Sequence, residues 1–329
     1  MTPIALSMGD PAGIGPEITV KLIADLATQR SAPQYPVVVF GDASLLRRNI
    51  SSLELPLQVE TVTNASEMGN DPRVVHVVAG PTLPDDLPIG EVSAHAGDAA
   101  FRYVEMAIHA AIRGDVSGIV TAPINKEAMR LAGHPYPGHT EILADLSGTS
   151  DFSMMMASDD LRVVLVTIHE PLRKAIDLIT HDAVLRVIRL ADRTLRRDGR
   201  EPRIGVAGLN PHAGENGLMG REELDIIAPA IAEAQRLGIR AEGPFPPDTV
   251  FMRARNREFD VVVAQYHDQG LIPFKYLGLD KGANVTLGLP FVRTSVDHGT
   301  AFEIAGRGIA DHSSLRVAFD QAIDLVSAR

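Results

Sequence analysis

Short apolar runs rich in Val, Ile and Leu alternate with longer amphipathic stretches along the whole chain, and this alternation restricts the fold more than any other feature. A run that is apolar at every position must be covered on both faces, as in a parallel sheet flanked by crossover helices. The expected class is therefore α/β, and 329 residues leave room for two α/β/α domains at roughly 150 residues each. Strands are expected at 4–8, 37–40, 74–78, 118–121, 163–168, 204–207 and 260–265, and helices at 16–27, 96–113, 181–197 and 222–237. Pro16 suits a first helical position, and Glu17 and Glu222 fall in first turns, where the helix dipole favours acids. No internal repeat or low-complexity linker marks a boundary. The Pro/Gly-rich stretch Ala132–Glu141 and the Gly-rich stretch before Arg293 are the expected crossings, giving one domain over 1–130 plus about 295–329 and a second over about 131–294.

Composition narrows the partners. The net charge of -11 repels polyanions, so nucleic acid is not expected as a partner. The basic cluster Arg193, Arg196, Arg197 and Arg200, interleaved with Asp192 and Asp198, reads as a solvated helix end. The N-terminus has no positive region before an apolar core, and no stretch approaches the roughly 20 apolar residues of a membrane span. A cytoplasmic protein with no membrane partner is expected. The chain contains no cysteine, so any metal site must use imidazole and carboxylate ligands.

Three histidines follow expected strands in polar, turn-rich loops: His169 in VLVTIHEPLR, His212 in GLNPHAGENG and His267 in VVVAQYHDQG. They lie too far apart in sequence for a local ligand motif. Loops at the ends of strands, in one sheet or in two subunits, can nevertheless bring them together. Three neutral imidazoles with an open position suit zinc or a similar divalent ion acting as a Lewis acid. The alternative is three unrelated loop histidines held by backbone hydrogen bonds.

A second group suits an anionic ligand. His139 and Thr140 precede the apolar segment ILADL, so that Thr140 is expected to cap a helix whose first N–H groups face an oxyanion. Lys275 and Arg293 supply charge and Asn284 amide donors, a set that a phosphate accepts from, although each residue alone also reads as a cap or a surface group. The turn GDPAGIGPE, with Gly13 and Gly15, follows a strand and opens a helix, but position 18 is Ile where the dinucleotide fingerprint needs glycine. Asp248 and Asp268 are candidates for orienting a metal-bound imidazole or for proton transfer, with turn capping as the alternative. A GxSxG serine elbow is absent, and the run Met154–Met156 reads as core filling.

Taken together, MGDPAGIGPEI, YPGHTEIL, TIHEPLR, GLNPHAGENGLMGREE, GPFPPDTVF, YHDQGLIPFK and NVTLGLPFVRTSVDHGTAFEIAGRG resemble the 4-hydroxythreonine-4-phosphate dehydrogenase family from about Ile4 to Asp311. The forms YPGHTE, NPHAGENG and PPDTVF are similar to its D-threonate/D-erythronate 4-phosphate branch. The resemblance implies an isocitrate/isopropylmalate dehydrogenase-like fold with a cleft between domains, and a homodimer with active sites at the subunit interface. It also implies NAD-dependent oxidation and decarboxylation of a small phosphorylated hydroxy acid, with NADP left open. A divalent metal is implied, zinc first and Mg, Co or Mn as alternatives. Carried over residue by residue, the metal ligands are His169, His212 and His267, and the substrate contacts His139, Thr140, Lys275, Asn284 and Arg293. Lys275, Asp248 and Asp268 are the catalytic candidates, and Gly13, Gly15, His298, Gly299, Thr300 and Ala301 the cofactor-side residues. Alternatives are a cis-dihydrodiol dehydrogenase of an aromatic carboxylate, a metal-dependent hydrolase, or a non-catalytic binder of phosphorylated hydroxy acids.

Overall fold

The computed structural model describes residues 1–28, 35–197, 199–278 and 282–327. Among these residues are twelve strands: β1 (Ile4–Ser7), β2 (Val37–Gly41), β3 (Gln58–Val62), β4 (Val74–Ala79), β5 (Gly118–Thr121), β6 (Ser153–Ala157), β7 (Arg162–Leu165), β8 (Ile204–Ala207), β9 (Ala241–Phe245), β10 (Val261–Ala264), β11 (Ala283–Leu287) and β12 (Val292–Ser295). The chain divides into two compact units, one built from Met1–Ser150 with Leu289–Val326, the other from Asp151–Gly288.

In the first unit the strands run β3-β4-β2-β1-β5-β12, every pair parallel. All four residues of β1 and of β5 are buried, as expected for central strands covered by helices on both faces. The covering helices include α1 (Gly15–Thr28), α3 (Ala94–Arg113) and, near the C-terminus, α11 (Ser313–Val326). Gly114 takes the left-handed conformation (φ 79°) that ends α3, which a residue without Cβ adopts at little cost. Tyr103, Ile119 and Phe319 are fully buried at the centre of this unit.

The second unit runs β11-β6-β7-β10-β8-β9. The expectation of parallel strands fails at one side, where β6 pairs antiparallel with both β7 and β11. The reason is local. Ser158 and Leu161 close a tight turn through Ser158 N–H to Leu161 O (3.0 Å), so β6 and β7 form a hairpin with no room for a crossover helix. The remaining pairs, β7-β10, β10-β8 and β8-β9, are parallel. Met154–Met156 are core residues, as expected, but they also form strand β6. The expected helix over 222–237 is a π-helical turn (Glu223–Ile227) continued by α8 (Ala228–Arg236). The helix α7 (His181–Leu195) carries Arg193 of the basic cluster in its last turn and ends before the rest of it, where Arg196 pairs with Asp192 and Glu201 and Arg200 with Asp260. Asp198 and residues 279–281 of the Gly-rich stretch lie outside the described residues.

Phe319 is completely buried, so Phe319→Ala should destabilise the protein by roughly 3–5 kcal/mol through lost burial and a residual cavity. Urea unfolding of the variant measures this, as a lower midpoint at unchanged slope.

Candidate functional site

In the second unit the strands β7, β10 and β8 are neighbours and parallel, so their carboxyl ends open on the same side of the sheet. His169, His267 and His212 follow these three strands in turn, where ligand sites of open α/β sheets form. Two buried amides tie the loops together. Gln265 donates from Nε2 to Ala207 O (2.7 Å) and its backbone carbonyl accepts from Thr167 Oγ1 (2.9 Å). Gln269 accepts from Gln265 N–H (2.7 Å) and donates to Gly208 O (2.8 Å). The segments after β7, β8 and β10 are thereby pinned to one another.

His267 is the first residue of α10 (His267–Tyr276). Its Nδ1 lies 2.7 Å from Asp268 Oδ1, and since an ionised carboxylate only accepts, Nδ1 carries the proton and Nε2 keeps its lone pair. The His169 ring stands 5.6 Å from that of His267, centroid to centroid, with the planes tilted by 45°. Two imidazoles with an orienting carboxylate fit a divalent transition ion by donor type. Among the described residues no group of three His, Asp or Glu side chains converges closely enough to hold a metal. The structure thus brings His169 and His267 together and leaves His212 exposed on its own turn.

That turn is unusual. His212, Ala213, Gly214, Glu215 and Asn216 all have positive φ, between 44° and 80°, so the chain makes a left-handed helical turn. For the four non-glycine residues this conformation costs roughly 1–2 kcal/mol each. The turn persists because Glu223, 2% exposed, accepts from Leu209 N–H (2.7 Å), Asn210 N–H (2.7 Å) and Asn210 Nδ2 (3.0 Å). Asn210 Nδ2 also donates to Glu222 Oε2 (2.7 Å). Sequence reasoning missed Glu223, Gln265 and Gln269; the Gly and Asn content of NPHAGENG was the only local hint of the left-handed turn.

Asp248 and Asp268 are brought together on the wall of a groove of about 560 Å³ within this unit, which Tyr266, Ile272 and Tyr276 also line. Lys275 is half-buried in the last turn of α10, and Asn284 is half-buried in β11 with its Oδ1 enclosed and without a hydrogen-bond partner.

In the first unit Arg293 is 2% exposed in β12, and its Nη2 donates to Thr121 Oγ1 (2.8 Å), which in turn donates to Ser295 Oγ (2.9 Å). Burial lowers its pKa to about 9, opposed by the nearby Glu141, so the guanidinium stays charged at neutral pH. His139 opens the helix α5 (His139–Leu146) with a buried Nε2 that has no hydrogen-bond partner. Burial, and then the cations Arg293 and Lys126, hold its pKa well below the ordinary histidine range, so the ring is neutral. Thr140 corrects an expectation. The helix begins two residues earlier than foreseen, with Gly138 as its N-cap, so Thr140 lies inside the first turn and makes no capping bond. A buried guanidinium, a neutral imidazole and the N–H groups of a helix start can together bind a dianion. Thr121, Lys126 and Glu141 belong to this cluster and were not foreseen.

The glycine-bearing turn connects β1 to α1. A Cβ on Gly13 would sit 2.9 Å from Thr300 Cβ, and one on Gly15 would sit 2.2 Å from Met8 O. Ile14 N–H donates to Thr300 O (3.0 Å), so the turn is packed against the segment carrying His298, Gly299, Thr300 and Ala301. Of these, His298 and Gly299 are exposed, Thr300 is buried, and Ala301 has a φ of 44°. The expected cofactor-side residues therefore lie together, and the packing alone explains both glycines.

Asp10 in the same turn is fully buried, with Oδ1 accepting from Ala12 N–H (2.8 Å) and Oδ2 without a partner. Burial raises its pKa from 3.8 to about 6, against the lowering effect of the Ala12 and Asn125 N–H groups. A carboxyl whose folded pKa is raised contributes stability that is complete below about pH 4 and is lost as pH rises through about 6. Asp10→Asn should therefore raise the melting temperature at pH 7–8, a gain on the order of 2–3 kcal/mol. The gain should vanish near pH 4; melting curves across that range test it.

Residues 33–322 match the family model described as pyridoxal phosphate biosynthetic protein PdxA. The chain is 53% identical over 324 residues to a 4-hydroxythreonine-4-phosphate dehydrogenase of Beijerinckia indica, covering 98% of this chain and 95% of that one. It is 47% identical to the D-threonate 4-phosphate dehydrogenase of Salmonella typhimurium, with 98% of each chain covered. A crystal structure of a 4-hydroxythreonine-4-phosphate dehydrogenase from Klebsiella pneumoniae matches with a TM-score of 0.90 and 46% identity, covering 99% of this chain and all of that one.

Proposed function

The chain belongs to the family of the pyridoxal phosphate biosynthetic protein PdxA, and from that premise we propose that it oxidises and decarboxylates a 4-phosphorylated hydroxy acid with NAD. The substrate is 4-hydroxythreonine 4-phosphate or D-threonate 4-phosphate, the two named for its relatives. The observation that carries the site assignment is the placement of three histidines after three adjacent parallel strands, two of them already ring to ring. Each unit is read as an α/β/α domain of the isocitrate/isopropylmalate dehydrogenase type.

His169, His212 and His267 would hold a divalent ion, zinc first, through ring nitrogens, and Asp268 presents the free Nε2 of His267 to it. When bound, the ion supplies Lewis-acid polarisation of the substrate hydroxyl and NAD the hydride acceptor. Arg293 binds the phosphate, its guanidinium oriented by Thr121, with His139 and the start of α5 completing the cradle. Thr140, Lys275 and Asn284 are assigned to the same substrate. Remote phosphate binding fixes the carbon to be oxidised. Lys275, Asp248 and Asp268 are the groups at hand to move the hydroxyl proton. Oxidation leaves a 3-keto acid; its carboxylate departs as carbon dioxide, the bonding pair passes to the adjacent carbon and is delocalised into the keto group, and a proton added at that carbon completes the ketone product. The segment around Gly13, Gly15 and His298–Ala301 is assigned to the cofactor.

A homodimer formed through the second unit belongs to the same reading. That unit exposes Leu218 (79%), Met252 (61%), Ile272 (66%) and Tyr276 (89%), apolar side chains that a partner subunit would cover. No helix among the described residues is long and apolar enough to cross a membrane, and a cytoplasmic location is proposed.

NADH absorbance with both phosphorylated acids and with one cis-dihydrodiol, with and without chelator, tests the activity. Chelator-sensitive NADH formation from a phosphorylated acid is expected; turnover of the diol alone would overturn the phosphate assignment. Arg293→Met should raise KM for the phosphorylated acid roughly 10–150-fold, the value of one or more charge-assisted hydrogen bonds, with a smaller change in KM for NAD. Sedimentation velocity should give a dimer, and a monomer at micromolar concentration would remove that part of the reading.

A further inference from the structure

The left-handed turn that carries His212 is held by two adjacent carboxylates: Glu222 accepts from the Asn210 side chain, and Glu223 accepts from that side chain and from backbone N–H groups as well. Glu223 Oε1 accepts both Leu209 N–H and Asn210 N–H, and Oε2 accepts Asn210 Nδ2. The carboxylate also fills the space under the turn, for a Cβ on Gly214 would sit 2.6 Å from Glu223 Oε2. Glu223 itself is anchored at the start of the π-helical turn Glu223–Ile227, an irregularity that lets the helix begin against the loop. Buried, it is aimed at the backbone just before His212.

We propose that Glu223 is the positioning residue for His212: it clamps the 209–214 backbone so that the left-handed turn, and with it the His212 imidazole, is preset before metal arrives. The proposal rests on the reading of His212 as a metal ligand. His267 has a partner of its own in Asp268 and His169 packs against His267, whereas His212 is set by backbone conformation alone. Removing the clamp frees residues that otherwise leave the left-handed region, and the ligand is then displaced in most of the population.

The test is zinc affinity of the full-length protein, measured by competition with a chromophoric chelator, for wild type, His212→Ala, Glu223→Ala, Glu223→Gln and Gly214→Ala. Glu223→Ala should weaken zinc binding by roughly 10–100-fold, the usual effect of losing an outer partner of a metal ligand. Gly214→Ala, which displaces the same carboxylate from the loop side, should act in the same direction and add little to Glu223→Ala. Glu223→Gln keeps one oxygen for the two backbone N–H groups and should lie between wild type and Glu223→Ala. A variant with a lower melting temperature but wild-type zinc affinity would make Glu223 a stability residue only and overturn the proposal. If Glu223→Ala does not fold, Glu223→Gln and Gly214→Ala decide, and unchanged affinity in both overturns it. His212→Ala separates the two levels: if it too binds zinc normally, the ligand reading fails and the positioning role with it, whereas loss in His212→Ala alone refutes only the role of Glu223.

Discussion

The second unit's site depends on the cross-linking of three loops by Gln265 and Gln269. A parallel sheet delivers every strand's carboxyl end to the same side, but it does not fix the chain beyond the last ladder bond. Here the buried amides bond to Ala207 O, Gly208 O and each other, while Thr167 bonds to Gln265 O. Each bond satisfies a carbonyl or amide that would otherwise be orphaned at the strand ends. The histidines inherit that order: His267 follows Gln265 by two residues, and His169 follows Thr167 by two. Only His212 stands beyond the reach of these bonds.

The first unit meets a different problem, the binding of an anion by a protein of net charge -11. Its answer is local. Arg293 is buried in a strand, and the hydroxyl chain from Thr121 to Ser295 serves its guanidinium. His139 is kept neutral by burial and by the neighbouring cations, so it can donate a hydrogen bond without adding charge. Low dielectric makes such a cluster count for more than surface charge many ångströms away.

Much of the fold was legible because it rested on apolar burial. The runs at β1, β2, β4, β5, β7, β8 and β10 announced themselves, since strands covered on both faces have little choice of side chain. Strands β3, β9, β11 and β12 carry Glu, Thr, Asn, Pro or Arg and showed no such run, and the antiparallel turn of β6 depends on a hairpin, which polarity alone does not encode. The histidines stood out by their strand-end context and Arg293 by its motif. Glu223, Gln265, Gln269 and Asp10 did not, because their partners are backbone groups that meet them only after folding. Thr140 lies two positions past the cap it was expected to form, since Gly138, extended at φ 177°, takes that place.

Ligation of one divalent ion by His169, His212 and His267 is measured directly by zinc K-edge X-ray absorption on the zinc-loaded protein. The expected spectrum has a nitrogen/oxygen shell at about 2.0–2.1 Å with outer-shell scattering from three imidazole rings, falling by one ring in each single histidine-to-alanine variant. A spectrum without imidazole scattering, or one unchanged by those substitutions, would contradict it.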